Sequence, residues 1–242
     1  LGRLISILSV IDTDEAPFGS GINRVLDEVL NIAEEMGFNT YQDPDNFYGY
    51  AEVGEGALFG VLCHVDVVDE GNKDDWKFNP YTLTEHDGKL FGRGTIDDKG
   101  PTLAAMVALK ILIGAGFELH RKVRFIFGPD EENLWRCLDS YKQKEDLPTM
   151  GFAPDADFPL VHVEKGMVQL LIKGKGTGIV GGDSYNAVAS HATVDIHGGL
   201  ESHLKDKRFE VKDNKIKVYG KSAHASTPEL GENAIYTLSK AL

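Results

Sequence analysis

Apolar positions along this chain fall into two rhythms. Between Ile22 and Met36 they recur at Leu26, Val29, Leu30 and Ala33, the spacing of an amphipathic helix, and Gly37 supplies a stop. From Ala57 to Cys63 nearly every residue is apolar and glycines bound the run, which predicts a strand covered on both faces. The stretch "FNPYTLTEHDGKLFGRG" alternates on either side of Asp87 and Gly88, a hairpin signal. "TIDDKGPTLAAMVALKILIGAG" predicts a helix in which Pro101 suits the first turn, and Gly114 and Gly116 end the apolar spacing. Val123 to Phe127 repeats the strand pattern, and a further helix is expected near Leu134 to Tyr141. Strand, helix, strand, helix predicts an α/β fold with a mainly parallel sheet covered by helices.

From about Gly166 the texture changes to glycine and β-branched residues, then to a hairpin, a loop and a starting helix. Residues 1–165 and 166–242 are therefore expected to form two domains, the second α+β and incomplete. Leu1 is no initiator, so the sequence is expected to begin inside a longer chain.

Composition narrows the partners. The 25 Lys and Arg against 38 Asp and Glu give a formal charge of −13, which repels nucleic acid and anionic membrane surfaces, and no local basic patch offsets it. No apolar run approaches the roughly 18 to 20 residues of a membrane span. Cys63 and Cys137, the only cysteines, are too few for a disulfide framework, and a reducing, cytoplasmic setting is expected.

Polar residues stand where the apolar runs end. His64 and Asp66 follow the first buried strand; Asp97 with Asp98, Glu131 with Glu132, and Asp155 occupy the corresponding turns. In an open parallel sheet the ligand crevice lies outside the carboxyl ends of the strands, so these residues can meet despite their separation in sequence. Imidazole and carboxylates together suit zinc and its neighbours. Asp66 is placed to accept the other N–H of the His64 ring, and the glutamate pair can divide into a ligand and a general base. Against this stands a plainer reading, in which the acidic pairs merely cap helices.

Four stretches in order, "GVLCHVDVV", "GKLFGRGTIDDKGPTLA", "FIFGPDEEN" and "GFAPDADFPLVHVEKG", resemble the M20 metallopeptidase family, and most closely its PepV-type (Xaa-His dipeptidase-like) members. The resemblance implies a zinc-peptidase catalytic domain carrying a lid. It implies that His64 and Asp155 bind one metal, Asp97 bridges two, Glu132 binds the second and Glu131 is the base. It also implies a cis peptide between Asp97 and Asp98. In the lid, "GKSAHAS" resembles the motif whose histidine stabilises the oxyanion, which points to His224; Asn186 resembles a substrate-touching asparagine. Two zinc ions, with manganese or cobalt as substitutes, and a small dipeptide with a free amino end are the implied cofactor and substrate, and a monomer is favoured. The family's second metal takes a further histidine from a returning segment that this sequence does not reach, so the second site is expected to be one ligand short. The rival readings are an M20-type deacylase of N-acyl amino acids and a binding fragment that lacks turnover.

Overall fold

The computed structural model describes residues 1–71, 73–163, 178–182, 187–195, 207–212, 214–223 and 227–241. They fall into two compact units, Leu1–Val161 and His162–Leu242.

The first unit opens with a short helix α1 (Gly2–Ile5) and the long α2 (Ser20–Glu35). Strands β1 (Asn39–Gln42), β2 (Gly49–Val53) and β3 (Leu58–His64) follow, then the hairpin β4 (Thr84–His86) and β5 (Lys89–Phe91). Helix α3 (Lys99–Gly114), β6 (Lys122–Gly128), α4 (Arg136–Lys144) and β7 (Met150–Phe152) complete it. Five strands form one sheet in the order β1-β2-β6-β3-β7. The strands β6, β3 and β7 are mutually parallel, as the alternation of strands and helices predicts, and β1 and β2 extend the sheet antiparallel.

Alternation of side chains across each strand divides the core in two. Val61, Cys63, Phe125 and Phe127 point to one face, where Val25, Leu26, Val29 and Ala33 of α2 and Met106 of α3 cover them. Leu62 and Ile126 point to the other and pack with Tyr48, Leu138 and Tyr141. Cover on both sides explains why β3 and β6 read as nearly continuous apolar runs. The β4–β5 turn holds Asp87 and Gly88 at φ 51° and 69°, the left-handed pair of a two-residue hairpin. Helix α4 starts at Arg136, two residues later than its apolar spacing suggests, because Trp135 sits in the left-handed region at φ 58°.

In the second unit β8 (Val180–Gly181), β9 (His191–Asp195), β10 (Phe209–Lys212) and β11 (Lys215–Tyr219) form an antiparallel sheet in the order β10-β11-β9-β8. Helix α5 (Ala234–Ala241) lays Ala234 and Leu238 onto Ala192, Val194, Ile216 and Val218. Among the described residues no helix is long and apolar enough to cross a membrane.

Candidate metal centre

The polar residues of the first unit gather beyond the carboxyl ends of the parallel strands. His64 is the last residue of β3 and is only 2% exposed. Its Nδ1 lies 3.1 Å from the main-chain oxygen of Asp66 and 3.4 Å from Oδ1 of the same residue. The main-chain oxygen is the nearer acceptor, so the Asp66 backbone fixes the ring as much as its carboxylate does. With Nδ1 engaged, Nε2 is turned toward Asp97 Oδ1 at 2.8 Å and Asp155 Oδ2 at 3.5 Å. Asp155 comes from the loop after β7. Donor atoms of His64, Glu131 and Asp155 all lie within 4.8 Å of one another.

The buried Asp66 carboxylate reaches across to the turn after β6, accepting the backbone N–H of Glu131 at 3.2 Å and of Glu132 at 3.0 Å. That turn is anchored from behind by Asp130. Its carboxylate, with a fully buried side chain, accepts the backbone N–H of Arg136 at 2.8 Å and two guanidinium N–H groups at 2.9 and 2.7 Å. The forked geometry is the strong form of a charge-assisted contact. Glu131 and Glu132 are thus held by two independent carboxylates, one on each side of the turn.

Asp98 follows Asp97 across a cis peptide and occupies the N-cap position of α3 without a side-chain capping bond. Its Oδ2 instead accepts the His64 N–H at 3.2 Å and the Thr102 hydroxyl at 2.9 Å, while the buried Oδ1 has no hydrogen-bond partner. Next to it, Lys99 is fully buried and donates from Nζ to the carbonyls of Leu4 and Ile7 at 3.0 and 3.1 Å, tying the amino-terminal segment to the start of α3. Burial pulls this ammonium down to about 8.

Electrostatics set this rim apart. Burial, with the charges of Asp66, Asp155 and Asp97 and against the relief from His64, pushes Glu131 up to about 7. Burial and then Asp97 do the same to Glu132. Burial also raises Asp98 to about 6. Burial opposes a charge on His64, yet hydrogen bonds to Asp155, Asp66 and Asp97 raise its pKa well above the usual 6.5. Asp98, Glu131 and Glu132, which burial holds back from ionising beside a single imidazole, mark a donor set short of positive charge. An oxygen-rich set with one imidazole fits a divalent cation on chemical grounds.

The structure therefore brings His64, Asp97, Glu131 and Asp155 together, and places Glu132 and Asp66 beside them. His224 and Asn186 lie outside the described residues. Sequence reasoning did not reveal the grip of Asp66 on the two glutamate amides, the anchoring of the turn by Asp130 and Arg136, or the burial of Lys99. Only the acidic run Asp130–Glu132 hinted at the second.

Fold and rim together are those of an α/β protein with a carboxylate–imidazole centre at the ends of parallel strands. The profile of peptidase family M20/M25/M40 matches residues 60–240, and the chain belongs to that family. It is 40% identical over 263 residues to "Putative dipeptidase YtjP" of Bacillus subtilis (strain 168), covering 96% of this chain and 56% of that protein. A Staphylococcus saprophyticus protein described in the same words is 38% identical over 272 residues, covering 99% of this chain and 57% of the relative. The chain thus spans little more than half the length of these relatives. Among solved structures, human carnosine dipeptidase 1 superposes with a TM-score of 0.51 at 23% identity, over 63% of this chain and 36% of that one. The M20 family metallo-carboxypeptidase Sso-CP2 from Sulfolobus solfataricus gives 0.52 at 22%, over 62% and 35%. At these identities the two structures speak for the fold.

Proposed function

We propose that the protein hydrolyses the peptide bond of dipeptides with a free amino terminus, with the rim of the first unit as its reaction centre. The observation that carries this reading is the convergence of His64 Nε2 with the carboxylates of Asp97, Asp155 and Glu131 beyond the ends of β3, β6 and β7. The description of the Bacillus and Staphylococcus relatives as dipeptidases supports the substrate class.

His64, Asp97 and Asp155 would hold one divalent ion, and Asp97 with Glu132 a second. Zinc, or manganese or cobalt in its place, supplies Lewis acidity when bound, polarising a carbonyl and acidifying water near neutral pH. Glu131 is the general base: it takes a proton from the attacking water and returns it to the leaving amine. In the metal-free centre burial raises its pKa to about 7, the direction that favours accepting a proton. Asp66 keeps that carboxylate in place through the backbone N–H of Glu131 and steadies the His64 ring. In the same reading residues 1–165 are the amino-terminal part of the catalytic domain and residues 166–242 part of a lid. By the family resemblance His224 would stabilise the oxyanion and Asn186 would touch the substrate.

Hydrolysis of a free dipeptide and of an N-acetyl amino acid, assayed side by side, tests the proposal. Dipeptide turnover is expected to dominate, to stop on chelation and to return with zinc. Turnover of the acetylated amino acid alone would replace it with a deacylase.

A further inference from the structure

A crevice opens beside the metal centre on the α4 side of the sheet, within the first unit. It is lined by Leu62, Cys63, Gly128, Trp135, Leu138 and Ala153. His64, Glu131 and Asp155 form its remaining polar wall. The cavity measures about 30 Å³. Space of this kind amounts to about 10–15 Å³ per water, so the crevice holds roughly two waters or a small hydrocarbon group. Polar partners lie along one wall only, and the Cys137 thiol, which also lines the space, behaves as a small apolar group. The space therefore suits hydrocarbon better than water.

Two local features keep it open. Gly128, the last residue of β6, contributes no side chain; a Cβ there would stand 3.2 Å from Cys137 Sγ. Trp135 lines the crevice from a left-handed backbone conformation, unusual for a bulky residue. Its N–H donates to Asp130 O at 2.9 Å while the next N–H donates to the Asp130 carboxylate, so the fork that anchors the glutamate turn also fixes the tryptophan. A backbone held in a sparsely populated region by its surroundings is a mark of a functional position.

We infer that this crevice receives an aliphatic side chain of the substrate, between alanine and leucine in size, next to the scissile bond. The position follows from the wall shared with the metal centre, and the size from the volume. The inference rests on the dipeptidase reading for its substrate, though not for the apolar site itself.

Trp76 and Trp135 are the only tryptophans, so Trp76→Phe leaves Trp135 as the sole indole reporter. In that background leucine is expected to shift Trp135 emission saturably and glycine to leave it unmoved. Ala153 is exposed at the mouth, and Ala153→Leu should fill the space and weaken the leucine response at least tenfold. Equal responses to leucine and glycine, or a leucine response that survives Ala153→Leu unchanged, would overturn the inference. In turnover, either Leu-Gly or Gly-Leu is expected to exceed Gly-Gly at least about tenfold in kcat/KM, the scale of apolar-pocket discrimination, and Ala153→Leu should erase that advantage. Leu138→Ala deepens the crevice and should move the preference toward phenylalanine. An intact leucine response without turnover of any dipeptide would refute the dipeptidase reading while leaving the aliphatic site in place.

Discussion

The same sheet carries two charged clusters, and they are built on opposite plans. Midway along β6, Arg124 donates to Glu52 of β2 at 2.8 Å, to Tyr141 OH at 3.1 Å and to Glu145 at 3.4 Å, and its guanidinium lies 3.9 Å from the centre of the Tyr50 ring. Lys122 adds a second contact to Glu52 at 3.1 Å. Cations and anions are matched there. Burial works against the Glu52 charge, but the hydrogen bonds of Arg124 and Lys122 keep its pKa below the ordinary value. At the carboxyl ends of the same strands, one imidazole faces carboxylates from four segments of chain, and Glu131 and Glu132 are pushed up to about 7. The matched cluster satisfies itself and serves the fold; the unmatched one is complete only with something positive added.

Five measurements sharpen or break this contrast. Glu131→Gln should lower dipeptide turnover by about 10² to 10⁴ while bound zinc is retained, the scale of a lost proton transfer; normal turnover removes Glu131 as the base. Arg124→Met acts on the other cluster and leaves Glu52 and Glu145 without their main cation. Chemical unfolding should show a loss of about 3–5 kcal/mol with zinc affinity unchanged, and a change confined to zinc affinity would erase the distinction. Asp66→Asn keeps the shape but weakens the acceptor for His64, Glu131 and Glu132; zinc titration should show affinity reduced about 10- to 100-fold.

The smallest effect is on stability against pH. With metal chelated, folded Glu131 and Glu132 hold protons up to about pH 7, whereas their ordinary value is 4.5. The folded state then binds more protons than the unfolded chain, so stability falls as pH rises across that window. His64, raised well above 6.5, adds a loss of the same sign as pH rises through its folded pKa. Glu52, held below 4.5, acts the other way and withdraws stability as pH falls below its ordinary range. Each proton contributes at most about 1.4 kcal/mol per pH unit. If the rim holds zinc, the ion must displace the rim's protons, and its affinity should climb from pH 6 to 8. A pH-independent affinity would mean that the rim is not where zinc binds.

Much of the first unit could be read from residue order. The apolar runs of β3 and β6, the stripe of α2 and the Asp87–Gly88 turn each announce themselves because burial or a positive φ leaves few residue choices. The strands β1 and β7 did not: "NTYQ" lies at the sheet margin, "MGF" is short and exposed, and neither needs a covered face. For the centre, motif order pointed to His64, Asp97, Glu131 and Asp155, which the fold draws together. Sequence could not disclose contacts made through backbone groups, such as those of Asp66 to two amides or of Lys99 to two carbonyls, because any residue supplies the same partner atoms. The late start of α4 has the same origin, since Asp130 acts on the N–H of Arg136.

The double duty of Asp66 has a further consequence. One residue braces both the imidazole, through its main-chain oxygen and carboxylate, and the glutamate bend, through its carboxylate, so the two halves of the centre behave as a single lever with its pivot at the exit of β3. A substitution that displaces this pivot would misplace the ring and the bend together, and repairing either alone would not bring the other back. Adaptation of the centre to a different ion or bond is therefore expected to begin with changes elsewhere on the rim, while this pivot stays fixed.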